Sequence, residues 1–389
     1  MGVVIDKSTF EKYQKCDDPV LKTLIQLKVL PNPKSTNDAS FAKVATNGPD
    51  CPFLQQDKDC AIQVTLGEDY LSRTCDTYPR AFSKVDNTLE RSLYLSCPEA
   101  ARIILLRSSE IRFSAPGEGR EEKYDDFPSV DTNDELYGGK PYKHFGLIRN
   151  FVVHLLRNRK YLVWQRMVIL GMYCDQLARI PIDDLDVGAP RLTESFGQHI
   201  NNRGFDSTLS GIAPNYALML NVVISSLEDR IHGDYTSPRF LECYRMFIDG
   251  IGHSSGIETE TLAQQFSAAQ TDWYAPFFDN KEYIWENFLV AKAYKDLFPF
   301  GPQHSLYQES RSVYQEYILL TMQYVFARTV LVGYSGSAKS DLTLNDVVKV
   351  VQSFSRAVEH NPPYMTKIVR SLESGNIAPL PVFATLIRP

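Results

Sequence analysis

From Tyr142 onward, apolar residues return every three or four positions in segment after segment, with no alternation between strand and helix periods. A stripe of that period lines one side of an α-helix, and successive stripes can be buried only against one another. Phe145 to Leu156 and Leu162 to Leu177 read as helices broken by Asn158-Arg159-Lys160; Pro214 to Ile231, Phe240 to Ile248 and Leu262 to Tyr274 continue the series. Asp279-x-x-Glu282 starts a helix that Pro299 and Gly301 close, Ser305-x-x-Gln308 starts a long apolar one, and Thr343-x-x-Asp346 starts another carrying Val347, Val348, Val351, Phe354 and Val358. No fixed-length repeat runs through them, which argues against a regular solenoid. The expected fold class is mainly α: an irregular helical domain over residues 141–389.

The longest apolar stretch, Tyr317 to Tyr334, is interrupted by Gln323 and Arg328 and reads as a buried helix, not a membrane span. A hydrophobic content of 43% with 23% charged residues is that of an ordinary globular protein. A net charge of −6 and a pI near 5.7 argue against a nucleic-acid or anionic-membrane footprint. Asp6, Lys7, Glu11 and Lys12 stand where a secretory signal would be apolar, so a cytoplasmic location is expected.

The N-terminal part reads differently. Ser8-Thr9-Phe10-Glu11 has capping-box spacing, and Val20 to Leu30 is helical until Pro31 and Pro33 stop it. Gly48 to Arg102 then holds four of the seven cysteines, Cys51, Cys60, Cys75 and Cys97, separated by eight, fourteen and twenty-one residues. Four soft thiolates suit one zinc ion or one iron–sulfur cluster, although no spacing is a C-x2-C pair. Buried cysteines acting as small hydrophobes are the alternative. An odd cysteine count without an export signal argues against a disulfide framework.

Cys60 to Val64 and Ser92 to Ser96 read as short strands, and Leu66 to Leu71 and Pro98 to Leu106 as helices. The expectation is a small Cys-rich α+β module over residues 1–114, stabilised by metal because short elements bury little. Ala115 to Lys140, rich in Gly, Pro, Asp and Glu, reads as a linker or mobile loop at residues 115–140, or as an acidic lure for a lysine-bearing partner.

Several blocks here resemble the bacterial flagellin lysine-N-methylase family. They are Cys51-Pro52-Phe53-Leu54, Cys60, Leu66 to Arg80, Arg91 to Arg102, Trp285 to Leu289, Phe298-Pro299-Phe300-Gly301, and Gln352 to Arg356 with Glu359-His360-Asn361-Pro362. The most specific are T-C-x-T-Y-P-R at Thr74 to Arg80 and S-C-P-E-A-A-R at Ser96 to Arg102. The resemblance implies an enzyme that methylates lysines of flagellin with S-adenosylmethionine in the bacterial cytoplasm before export. It also implies an iron–sulfur cluster, 4Fe–4S or with zinc as the alternative, with Cys51, Cys60, Cys75 and Cys97 among its ligands. Family members begin with a further cysteine-rich segment containing an adjacent Cys pair. This chain opens at Met1-Gly2-Val3-Val4-Ile5-Asp6, so that segment is expected to be missing and the cluster incomplete. The reading from another class is a non-enzymatic cluster- or zinc-binding interaction protein.

Other constellations compete with this reading. Gly252-His253-Ser254-Ser255-Gly256 has the G-x-S-x-G form but follows a helical pattern, so an interhelical loop is expected instead of a nucleophile elbow. No glycine set makes a dinucleotide fingerprint, so the methyl-donor pocket stays unplaced. Lys349, Ser353, Arg356 and His360 step by four, three and four along one side of the last valine-rich helix, as a solvated face or a functional groove. Tyr78 and Arg80 beside Cys75 either position substrate or buttress the module. Glu99 and Arg102 suit an ion pair. The candidate catalytic residues are therefore Tyr78, Arg356 and His360. Twenty-one tyrosines and twenty-one phenylalanines permit an aromatic lysine site, though most read as core.

Overall fold

The computed structural model describes residues 3–33, 35, 37–46, 50–114, 127–134, 139–233, 237–303, 311–358 and 361–389. Most of the acidic run, together with Ser305, Gln308, Glu359 and His360, lies outside them. The chain forms two compact units that divide between Ala81 and Phe82.

The first unit carries α1 (Lys7–Gln14), α2 (Pro19–Lys28), α3 (Ala61–Leu66) and α4 (Arg73–Thr77). Its sheet is antiparallel in the order β1 (Val4–Ile5), β3 (Ala42–Val44), β2 (Val29–Pro31). The register pairs Val4 with Lys43 and Leu30 with Lys43. Asp6, not Ser8, caps α1: its carboxylate accepts from the Thr9 amide at 2.8 Å. Asp18 caps α2 with Pro19 at the first helical position.

Where Cys60 to Val64 was expected to be a strand, Cys60 is the N-cap and α3 follows. The run is too short for its period to separate the two. The unit also owns an apolar core of Ile5, Tyr13, Cys16, Leu21, Ile25, Val29, Phe53 and Ile62, among others. The short elements of this unit therefore do bury apolar surface of their own.

The second unit is helical apart from β5 (Thr88–Leu93) and β6 (Ser129–Val130), which flank β4 (Arg80–Val85). Its helices are α5 (Pro98–Leu105), α6 (Phe145–Leu156), α7 (Val163–Ala178), α8 (Leu185–Asn201), α9 (Asp206–Ser210), α10 (Tyr216–Ile231) and α11 (Pro238–Gly250). There follow α12 (Thr259–Ala269), α13 (Ala275–Phe278), α14 (Tyr283–Lys295), α15 (Val313–Ala338), α16 (Leu344–Val358), α17 (Pro362–Ser374) and α18 (Leu380–Ile387). A mainly α fold is what the three- and four-residue spacing implied.

Helix α15 is the axis. It is apolar on every side, so it is stable only where other helices cover it completely. α7, α10, α11, α12, α14, α16, α17 and α18 all pack on it. Among the described residues it is the single helix long and apolar enough to cross a membrane, and 94% of its 18-residue apolar stretch is buried inside the protein. The tightest crossing is with α11, where Gly250, Gly333 and Gly336 let the two backbones touch. The G-x-S-x-G segment lies in the loop between α11 and α12, with Gly252 and Gly256 at positive φ.

The Trp285-to-Leu289 block belongs to this core. Glu286, 2% exposed, accepts from Arg166 at 2.9 Å and Arg159 at 2.9 Å. Asn287 donates to the Arg107 and Leu105 carbonyls at 2.7 and 3.4 Å, which satisfies the end of α5. Trp285 donates to the Tyr274 hydroxyl at 2.7 Å.

Candidate functional site

Two of the blocks singled out in the sequence meet in the second unit. Helix α5, opened by Cys97-Pro98-Glu99, packs on α16, and α16 packs on α11. The three helices bound a cleft of about 340 Å³ lined by Pro98, Glu99, Arg102, Arg239, Asn345, Val348, Lys349 and Gln352. Local sequence sets each wall. Pro98 follows the Cys97 N-cap of α5, and Pro238 follows Ser237, whose hydroxyl accepts from the Phe240 amide at 3.2 Å and starts α11. Helix α16 starts at Thr343, whose amide donates to Asp346 at 2.9 Å while the Asp346 amide donates back to the Thr343 hydroxyl at 3.3 Å.

The charges in the cleft are organised around one buried amide. Gln352 donates to the Ser96 carbonyl at 2.7 Å and accepts from Arg239 at 3.0 Å, so it ties α5 to α11 through α16. Arg102 pairs with Glu99 at 2.6 Å, and that hydrogen bond holds the Glu99 carboxyl below its usual range. Lys349 pairs with Glu242. Among the described residues, Arg239 alone of these three cations has a neutral partner. The first turns of α5 and α11 also face the cleft, and helix N-termini favour negative charge. The arrangement can bind an anionic group beside a carboxylate; it holds no nucleophile paired to a base.

The Lys349, Ser353 and Arg356 positions do not form one solvated face. Ser353 is buried, donating to the Val350 carbonyl at 3.0 Å and to the Cys243 sulfur at 3.5 Å. Val347, Val348, Val350 and Val351 are buried around it, because α16 is covered from two sides by α5 and α11 as well as by α15. Arg356 is exposed and does not line the cleft. His360 lies outside the described residues. Sequence reasoning did not find Arg239 or Asn345; neither sits in a motif, and Gln352 had only its place in the Q-S-F-S-R block as a signal.

In the first unit, Tyr78 follows α4 and is 42% exposed. Arg80 folds back to close that helix, donating to the Thr77 carbonyl at 3.2 Å and to the Asp76 carbonyl, which is the buttressing role.

Of the four cysteines, the structure brings three into one neighbourhood. Although Cys75 is exposed at the surface, the packing around it raises its thiol pKa, and charges on Cys51 and Cys60 would raise it further. Cys51 is raised in the same way by burial and by Cys60. Tyr13 adjoins all three, its hydroxyl pushed up chiefly by burial and then by Cys75 and Cys60. Cys97 lies in the second unit as the N-cap of α5. Among the described residues no three metal-ligating side chains converge closely enough to hold an ion. The donor chemistry suits a soft metal, but the present spacing does not close a coordination shell. Cys174 and Cys243 are buried in the second unit and behave as small apolar side chains.

The model of the FliB lysine N-methylase C-terminal domain matches residues 149–386, which include α11 and α16. A lysine-N-methylase of Salmonella choleraesuis is 21% identical over 379 residues, covering 96% of this chain and 89% of the relative. The lysine-N-methylase of Salmonella typhimurium is 20% identical over the same span. A flagellar biosynthetic protein FliU of Salmonella muenchen is 34% identical over 103 residues, 26% of this chain and 61% of the relative. No solved structure matches.

Proposed function

This chain belongs to the FliB lysine N-methylase family and is by that membership a protein-lysine N-methyltransferase, and from that premise we propose that it methylates lysines of flagellin with S-adenosylmethionine. The observation that carries the reading is the match of the helical unit to the family model, joined to relatives of the same name that align along nearly the whole chain. A donor sulfonium supplies an electrophilic methyl group. The lysine amine, with a usual pKa of about 10.4, must be neutral to attack it, so the acceptor site has to desolvate the amine or offer it a proton acceptor. Modification in the bacterial cytoplasm, before export, belongs to the same proposal.

Incubating the full chain with flagellin and isotopically labelled S-adenosylmethionine tests it. Mass gains in methyl-sized steps on flagellin lysines are expected. Flagellin binding without transfer would favour a non-enzymatic interaction protein instead. Tyr78, Arg356 and His360 are each proposed separately as catalytic candidates; replacing each in turn should lower kcat with donor affinity unchanged if that residue acts at the reacting lysine.

Cys51, Cys60 and Cys75 are proposed as ligands of a 4Fe–4S cluster or zinc, and Cys97, in the second unit, keeps only the family resemblance as its support. The support is electrostatic: neighbouring thiolates repel, and a cation is what would let them ionise together. Metal analysis of protein purified without oxygen should find iron or zinc that Cys75→Ser removes; metal-free protein with full transfer activity would dismiss the ligand set.

A further inference from the structure

We propose that helix α2 is a self-association surface: two copies of this chain meet through antiparallel α2 helices about a two-fold axis, with Val20, Leu24 and Leu27 of each at the seam. The pairing goes beyond the methyl-transfer reading and does not depend on it.

Val20 and Leu27 are, at 78% and 65%, the most exposed large apolar side chains among the described residues. Seven residues make two turns, so they stand one above the other on α2, and the half-buried Leu24 fills the turn between them. The unit's own core takes a different side of the helix: Leu21 and Ile25 are buried in it. Helix α2 therefore carries two apolar stripes, and folding of the first unit covers one. A contiguous apolar stripe left in water marks an association surface.

The charges choose the occupant. By helical spacing, the uncharged Thr23 and Gln26 flank the stripe on its solvent side and Lys22 lies on the far side, so no charge is trapped at the seam. Asp17 stands just before the helix and Lys28 ends it, and neither has an ionic partner among the described residues. Antiparallel packing brings Lys28 of each copy beside Asp17 of the other, Val20 onto Leu27 and Leu24 onto Leu24, so the surface is complementary to itself. Parallel packing would instead set like charges together at both ends. An unrelated acidic helix would meet only the lysine and be repelled by Asp17.

The helix has 10 residues, a length of about 15 Å. A contact of that length stays below the roughly 1,200 Å² of a stable interface, so a transient dimer is expected, with a Kd of roughly tens of micromolar.

Sedimentation equilibrium of the full chain in reductant, from roughly 1 to 300 µM, tests this. The average mass should climb from 44.2 kDa toward twice that value. Leu27→Asp, at an exposed position, should leave thermal unfolding unchanged and weaken association at least about 10-fold, because the symmetry places the acid in the seam twice. Lys28→Glu and Asp17→Lys should each weaken it about 3-fold to 10-fold, since each sets like charges together, and the two combined should restore it.

A wild type that stays at the monomer mass throughout overturns the proposal. So does a dimer that survives Leu27→Asp, which places the contact elsewhere, or a double variant that stays weak, which removes the antiparallel order. Loss of flagellin binding by Leu27→Asp in a chain that does not dimerise would give the stripe to the protein substrate, and also overturns it.

Discussion

Replacing Gly250 by alanine puts a methyl group where α11 and α15 meet backbone to backbone. The new Cβ would stand 1.7 Å from the Gly333 carbonyl oxygen and 2.6 Å from the Ser337 nitrogen. Because such approaches do not fall below 3.0 Å, the helices must part by about 1.3 Å. Neither obstacle is a flexible side chain. Both belong to the main chain of a helix buried on every side, so the strain spreads into Phe247 and Ile251, which pack at the same crossing. Overpacking of this kind costs about 1–3 kcal/mol, and the upper end applies where backbone must move. At about 2 °C per kcal/mol for a unit of this size, Gly250→Ala should lower Tm by about 6 °C. Gly197→Ala on α8 is the matched control. Nothing lies within 4 Å of the point its new methyl would occupy, and a mid-helix glycine replaced by alanine should gain about 0.5–1 kcal/mol. Thermal unfolding of the three proteins side by side decides the matter. If Gly250→Ala melts at or above wild type, the crossing is not as close as described and the reasoning fails.

Three further outcomes concern the buried polar groups. Glu286→Gln should cost about 3 kcal/mol in urea unfolding, since it strands the buried Arg166 guanidinium, while Arg159→Ala, half exposed, should cost under about 1 kcal/mol. Asn287→Ala should cost about 1–3 kcal/mol by leaving the Leu105 and Arg107 carbonyls unmet, and should weaken whatever the α5 wall binds. For Asp346, burial opposes ionisation, but the Thr343 hydroxyl and amide and the Tyr334 hydroxyl outweigh it and hold its carboxyl below the usual range. A depressed folded-state pKa gives stability that is present above the unfolded value of about 3.9 and lost as pH falls through the folded one, so the gap between wild type and Asp346→Asn should close on acidification below about pH 4. A gap that widens there would contradict this.

Fold class and the position of most helices in the second unit are legible in the order of residues alone. Period and capping act locally, and Phe145–Leu156 or the Thr343 start of α16 can be read without knowing any neighbour. Local signals mislead where packing between distant segments overrides them. Helix α8 runs through Gly188 and Pro190, residues that punctuate helices, because Leu185, Ala189, Thr193, Phe196 and Ile200 are buried against α6 and α7. The polarity of Ser353 suggested solvent, yet a second and third layer of helices cover it. The family blocks around Cys97 and Gln352 were visible as strings, but not that they face each other across a cleft, nor that Arg239, in no motif, stands between them. Charge compensation is a property of distances, and residues 96, 239 and 352 become neighbours only when α5, α11 and α16 pack together.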